Sequence, residues 1–320
     1  MLIIFNSHGQ DRKMNSIAAT IEHLPHLGET LALASAVVWS VAVILFRISG
    51  KDVHPIGLNL FKNLFALLLL AAVMPVLHKP LFPDTTLIQT GLLLLSGFLG
   101  IAVSDTLFFM SLNILGASLT AIVDCFYSPF VIILSYVFLS ERLSLWQLFG
   151  VLLIISAILT VSLNNRGENR SILRKDLIRG IILGILAMLF VAVGIVMVKP
   201  MLSDVEIFWA TGVRLVGGTL GVLAFLPLHP KRRKILRPLL DFSTWRAMVP
   251  ASFFGSFLSL LLWMGGMKFA FASVAAILNQ MNTIFIFVLA VFFLGEKATS
   301  RKVLAVVLAF IGAFLAAYPF

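Results

Sequence analysis

Four ionisable side chains stand inside long apolar stretches of this 320-residue chain: Lys62, Asp105, Asp124 and Arg214. A charge in hydrocarbon costs several kcal/mol, so it persists where it pairs, lines a wet cavity or carries an ion. Lys62 lies about eight residues beyond the polar break at 50–54, and Asp105 and Asp124 each about seven from the break at 112–116. At ~1.5 Å per helical residue, all three sit roughly 10–12 Å below one and the same face. Lys62 can reach either carboxylate, and whichever is left over is an unpaired acid away from water. Such a group is what proton-coupled exchange requires. Asp124, Asp105 and Lys62 are therefore the candidates for proton coupling. The plainer reading of Lys62 and Arg214 is that each runs its stem along the helix and leaves its head at the interface.

Uncharged groups gather around the same depth. Tyr127 follows Asp124 by three positions, and Asn282 follows Asn279 by three, so on a continuous helix each pair shares a face. Trp39, Phe108 and Trp263 add apolar walls. The expected substrate-binding set is Trp39, Asp105, Phe108, Asp124, Tyr127, Trp263, Asn279 and Asn282. The alternative for Asn279, Gln280 and Asn282 is hydrogen-bonded glue between packed helices. For Trp209, Trp146 and Trp245 it is an interfacial belt. Two GxxxG spacings, Gly180–Gly184 and Gly217–Gly221, suggest close helix contacts.

These residues need a bilayer to make sense. Hydrophobic residues make up 60% of the chain and charged ones 12%, too apolar a mix for one soluble core. Ten stretches have the length of a span, at 28–49, 55–77, 87–111, 116–139, 144–163, 177–198, 205–228, 245–268, 271–294 and 301–318. Residues 1–27 read as a solvated tail. The net charge of +10 lies in short loops, which fits topology and anionic lipid, and no nucleic-acid motif accompanies it. Cys125 is the single cysteine and no histidine has zinc-ligand spacing. Neither a metal nor another cofactor is expected.

The stretches fall into two sets of five. FLSERLSLWQLFG (138–150) echoes FFLGEKATSRKVLA (292–305). At an offset of 152, Arg47 meets Lys199 and Lys62 meets Arg214; at 155, Gly100 meets Gly255, Ser118 meets Ser273 and Glu141 meets Glu296. At the same offset Asp105 meets Leu260, Phe108 meets Trp263, Asp124 meets Asn279 and Tyr127 meets Asn282. Five spans is an odd number, so the second unit enters the membrane from the opposite side. The expected fold is all-α, with ten transmembrane helices in two inverted five-helix repeats, 28–163 and 177–318, joined by a linker at 164–176.

Phe138-Leu139-Ser140-Glu141-Arg142 with Gly150 beyond, Phe293-Leu294-Gly295-Glu296-Lys297, and Pro129 in the fourth span resemble the drug/metabolite transporter superfamily, with two EamA-like domains over about 28–318. The resemblance implies ten helices around a central cavity lined by spans 1, 3, 4, 6, 8 and 9, with spans 5 and 10 toward a dimer or scaffold edge. It implies secondary transport, by export or exchange, of small metabolites such as amino acids or amphipathic drug-like compounds. The expected partners are that cargo, the lipid bilayer and protons, with a second copy of the chain as a candidate; the expected place is the inner cell membrane. A membrane enzyme acting on a lipid-linked substrate, a channel, or a non-transporting scaffold is the alternative; no catalytic cluster, phosphate loop or filter sequence favours the first two. Counting Lys and Arg in short loops puts both termini outside the cytoplasm, whereas the resemblance implies termini inside.

Overall fold

The computed structural model describes residues 26–81, 83, 85–140, 144–162 and 173–317. All regular structure among them is helical: α1 Leu27–Ser49, α2 Pro55–Val76, α3 Leu87–Leu115, α4 Ala117–Leu139, α5 Leu145–Ser162, α6 Arg174–Val198, α7 Ile207–Phe225, α8 Phe242–Phe269, α9 Ala272–Leu294 and α10 Ser300–Ala317. A short helix, Arg232–Leu236, lies between α7 and α8. Eight of the ten, α1–α4 and α6–α9, are long and apolar enough to cross a bilayer. α5 and α10 have 18 residues each and pack lengthwise on one another. Glu141 and Arg142, most of the expected linker, and the tail before His26 lie outside the described residues.

Local chemistry sets the helix starts. Thr86 and Gln89 cap α3 reciprocally, the threonine hydroxyl accepting from Gln89 N–H and the glutamine oxygen from Thr86 N–H. α2 opens with His54 as cap and Pro55 in the first turn, where the missing N–H is no loss. Glu206 caps α7 through Trp209 N–H at 2.9 Å. Helix ends are met by cations: Arg47 donates to Asn113 O at the end of α3, and Lys199 to Met267 O and Ala270 O at the end of α8.

The long helices are not uniform. α3 runs through a π-helical stretch at Phe98–Val103, and α8 through one at Phe253–Ser259. Asn59 on α2 donates to Ile101 O and Ala102 O, taking up carbonyls of the first stretch. α4 breaks at Cys125–Phe126 and α9 at Gln280–Met281, where N–H groups bond three residues back. In α4, Pro129 has no N–H to offer across the break. The same-face argument for Asp124 with Tyr127, and for Asn279 with Asn282, thus needs correction, because a turn separates the members of each pair.

Small residues let the helices approach. A side chain at Gly97 would strike the Arg214 carbonyl, and one at Gly217 the Leu94 carbonyl, so α3 and α7 meet backbone to backbone. Gly180 and Gly184 on α6 seat Leu115 and Val123 in the same manner. Both GxxxG spacings therefore mark real contacts.

The loops gather at two ends. At one, Arg47 meets Asn113, His54 meets His229 with ring centres 5.5 Å apart, and the Glu296 carboxylate accepts from Ala117 N–H at 2.7 Å and Ser118 N–H at 3.2 Å. At the other, Lys79 meets Glu206 at 3.7 Å, Lys199 the end of α8, and Lys268 Val205 O. Glu296, from the turn after α9, thus caps the start of α4.

Candidate substrate cavity

Between these ends α1, α3, α4, α6, α8 and α9 surround a cavity of about 120 Å³. At ~30 Å³ of liquid volume per water this is room for a few waters, hence for a small metabolite and not a lipid or a peptide. α2 and α7 add one residue each, Lys62 and Arg214. The six helices that the resemblance assigned to the cavity all contribute, and the two extra helices reach it only through long cationic side chains.

The structure brings all nine expected residues to this one cavity. Asp105 and Phe108 come from α3, Asp124 and Tyr127 from the break in α4, and Asn279 and Asn282 from the break in α9. Trp39 comes from α1, Trp263 from α8 and Lys62 from α2. The breaks explain the convergence: each turn lets residues on both sides of it point into one space. Trp39 packs on Phe108 with ring centres 5.7 Å apart, and Tyr127 lies 6.4 Å from Trp263.

The charges differ in how they are met. Lys62 chooses Asp105 over Asp124: its Nζ lies 2.7 Å from Asp105 Oδ2 and 2.8 Å from Asn63 Oδ1. Asn63 in turn donates to Asn59, which is tied to Thr106 and the π-helical carbonyls. Lys62 is 3% exposed, so it does not run to the interface. Arg214, 1% exposed, does not either. It donates from Nη1 to the Met264 sulfur at 3.0 Å and stacks over Trp263 with Cζ 5.2 Å from the ring centre. Its Nε has no hydrogen-bond partner, and among the described residues no carboxylate lies in ion-pair contact with it. Asp124 is 5% exposed, its Oδ1 has no partner, and no described cation pairs with it. Tyr127 Oη is also without a hydrogen bond.

Asn279 donates to Ser35 Oγ at 3.3 Å, and Asn282 Oδ1 accepts from Thr283 at 3.3 Å. Gln280 binds Ser128 and Thr283 instead, holding α4 to α9. Of the polar residues on span 9, Gln280 thus fits the helix-glue reading best. Trp209 is buried and lies outside the cavity lining, so it is neither wall nor interfacial belt.

Arg214 is the residue the sequence reasoning named as intramembrane but left out of the site. The signal was available: it matches Lys62 in the repeat, and Gly100 clears its path, since a methyl there would stand 3.2 Å from Arg214 Nη2. Met188, Val191 and the serines Ser35, Ser104, Ser256 and Ser259 also line the space; nothing in their residue types announced them. No group of His, Cys, Asp and Glu among the described residues is placed to hold a metal ion.

Comparison with known proteins places the chain. The model of the EamA-like transporter family matches it twice, at residues 26–163 and 178–318. A solved crystal structure of 16% sequence identity superposes with a TM-score of 0.67, covering 90% of this chain and 96% of the other. That likeness is one of fold. No curated protein matches the chain. With both halves matched, the chain belongs to the EamA-like transporter family, and it is a multi-pass membrane protein of a transporter family.

Proposed function

We propose that the protein is a proton-coupled secondary carrier, an exporter or exchanger of small metabolites, working by alternating access in the inner cell membrane. Its ten helices form two inverted five-helix repeats, 28–163 and 177–318, that rock about the central cavity. Three features support this architecture. Arg47, in the last turn of α1, and its match Lys199, just past the end of α6, sit at opposite ends of the bundle. The π-helical stretches, the helix breaks and the left-handed residues Ser140 and Gly295 recur at a near-constant offset of 155. Ser128 donates to Ala276 O while its match Thr283 donates to Ala121 O, a reciprocal pair about one axis.

The observation that carries the functional reading is Asp124. It is a buried carboxylate with an unpartnered oxygen, in the cavity between the two halves. Among the described residues no cation pairs with it and nothing bonds its Oδ1, so it exchanges a proton whenever the cavity opens to water. Asp105, held by Lys62, is the second acid on the same path. Substituting Asp124→Asn in proteoliposomes removes the dependence of transport on a pH gradient; transport that keeps that dependence sinks the assignment. The loop charges orient both termini away from the cytoplasm, and a C-terminal fluorescent fusion that is dark outside the cytoplasm reads this directly, since bright cells reverse the orientation.

A further inference from the structure

The cavity holds three sets of charge, and only one is closed. Lys62 and Asp105 neutralise each other at 2.7 Å. Arg214 and Asp124 are each at least nine-tenths buried, each with an atom that bonds to nothing, and both line the same space. They are not in ion-pair contact with one another. A buried cation and a buried anion held apart in this manner each carry an uncompensated desolvation cost until something bridges them. We infer that the cargo is a small zwitterion of no net charge, its anionic group bound by Arg214 and its cationic group by Asp124. The inference rests on the carrier reading above.

The chemistry at each end fits one charge type. The guanidinium fork matches a carboxylate or similar planar oxyanion. Among the described residues its side-chain hydrogen bond goes to a thioether, a weak acceptor that an oxyanion displaces readily. A carboxylate accepts only, so Asp124 takes the donors of an ammonium group, and Tyr127 and Asn282 line the same cavity to orient it. Trp39, Phe108, Leu260 and Trp263, with Met188 and Val191, give the space a mostly apolar wall beside its serines, so the body of the cargo between or beyond its charges is largely apolar. A cargo with one charge satisfies one end and leaves the other buried and unpaired. Asp124 then holds either a proton or the cationic group of the cargo, and this competition is the source of exchange.

The test uses the purified full chain in detergent and two matched sets of probes. One set is L-leucine, isopentylamine and 4-methylpentanoate; the other is L-phenylalanine, phenethylamine and 3-phenylpropionate. Within a set the apolar part is nearly constant and only the charges change. At least one amino acid binds tenfold or more tighter than both of its single-charge analogues, a difference of about 1.4 kcal/mol. Arg214→Gln abolishes the preference for zwitterion over amine, and Asp124→Asn abolishes the preference for zwitterion over carboxylate. Should either variant fail to fold, the wild-type ranking and the milder Arg214→Lys, which keeps the charge but weakens the carboxylate contact, still decide. Equal affinities within both sets, or no binding of any of the six probes, overturn the proposal. The measurement needs no gradient, so the two readings fail separately. Zwitterion preference with no flux in proteoliposomes overturns the carrier and keeps the site. Proton-dependent flux of another cargo with no zwitterion preference overturns the site and keeps the carrier.

Discussion

Lys62 and Arg214 stand at matching places in the two halves, and their surroundings have diverged. Lys62 has a carboxylate at 2.7 Å and a web of asparagines behind it. Arg214 has a thioether and an indole ring, and the second half carries Leu260 where the first carries Asp105. The bonds that fix the backbone, by contrast, are kept in both halves. Ser128 and Thr283 make matching bonds to Ala276 O and Ala121 O of the opposite half, Ser104 and Ser259 each bond the helix packed against them, and Arg47 and Lys199 each close the end of a helix. Duplication has preserved what holds the helices and changed what meets the cavity. The buried cation of the first half is met by a carboxylate, and its match in the second half is not.

The strongest way to break this comparison is to make the first half resemble the second. Asp105→Leu leaves Lys62 buried with only an amide oxygen for company. Removing one partner of a buried ion pair costs about 3–5 kcal/mol, whereas replacing both with apolar groups is often close to neutral. The single variant therefore melts well below the wild type in detergent, and Lys62→Met with Asp105→Leu recovers most of the loss. A single variant as stable as the wild type means that Lys62 does not depend on Asp105, and the two halves are then alike.

The converse substitution makes the second half resemble the first. Leu260→Asp offers Arg214 an internal carboxylate at the position matching Asp105. The guanidinium is then neutralised by the protein, and the anionic group of the proposed cargo loses its cationic partner. Binding of the preferred zwitterion weakens at least tenfold, about 1.4 kcal/mol, while the melting midpoint changes little. Calorimetric titration of both proteins checks it; unchanged affinity in the Leu260→Asp variant means that Arg214 is not the open end of the cavity.

Much of this was legible in the chain itself. The ends of the apolar stretches agree with the helices to within a few residues, because Pro, Gly and charged residues punctuate them. The cavity residues were found by combining depth with the repeat, which brought Asp124, Tyr127, Asn279 and Asn282 to one place without any knowledge of packing. Three things were hidden for physical reasons. The π-helical stretches leave no mark in residue type, since what stabilises the first is Asn59 on another helix. Depth alone could not choose Asp105 over Asp124 for Lys62, because both carboxylates lie the same distance from their shared turn. Arg214 read as interfacial because its reach into the cavity depends on Gly97 and Gly100 of α3, residues distant in sequence that only contact geometry connects to it.

The smallest expected effect concerns the caps of α2 and α7, which also match across the repeat. His54 accepts from Ile56 N–H through its ring nitrogen at 3.3 Å, whereas Glu206 accepts from Trp209 N–H through a carboxylate. An imidazole accepts only while that nitrogen is unprotonated, so the first cap is acid-labile in a way that the second is not. Partial burial, followed by the nearby His229 and Lys231, holds His54 below the usual histidine range. The folded protein then resists a proton that the unfolded chain accepts near pH 6.5. By linkage, this part of the stability is fully present above that value and is lost as pH falls below it. The loss is of the order of one cap, about 1 kcal/mol or less. His54→Asn keeps a good capping side chain that does not titrate, so the fall in melting midpoint between pH 7 and pH 5 is shallower for this variant than for the wild type. Parallel curves mean that the first half's cap is no more pH-sensitive than the second's, and this difference between the halves disappears.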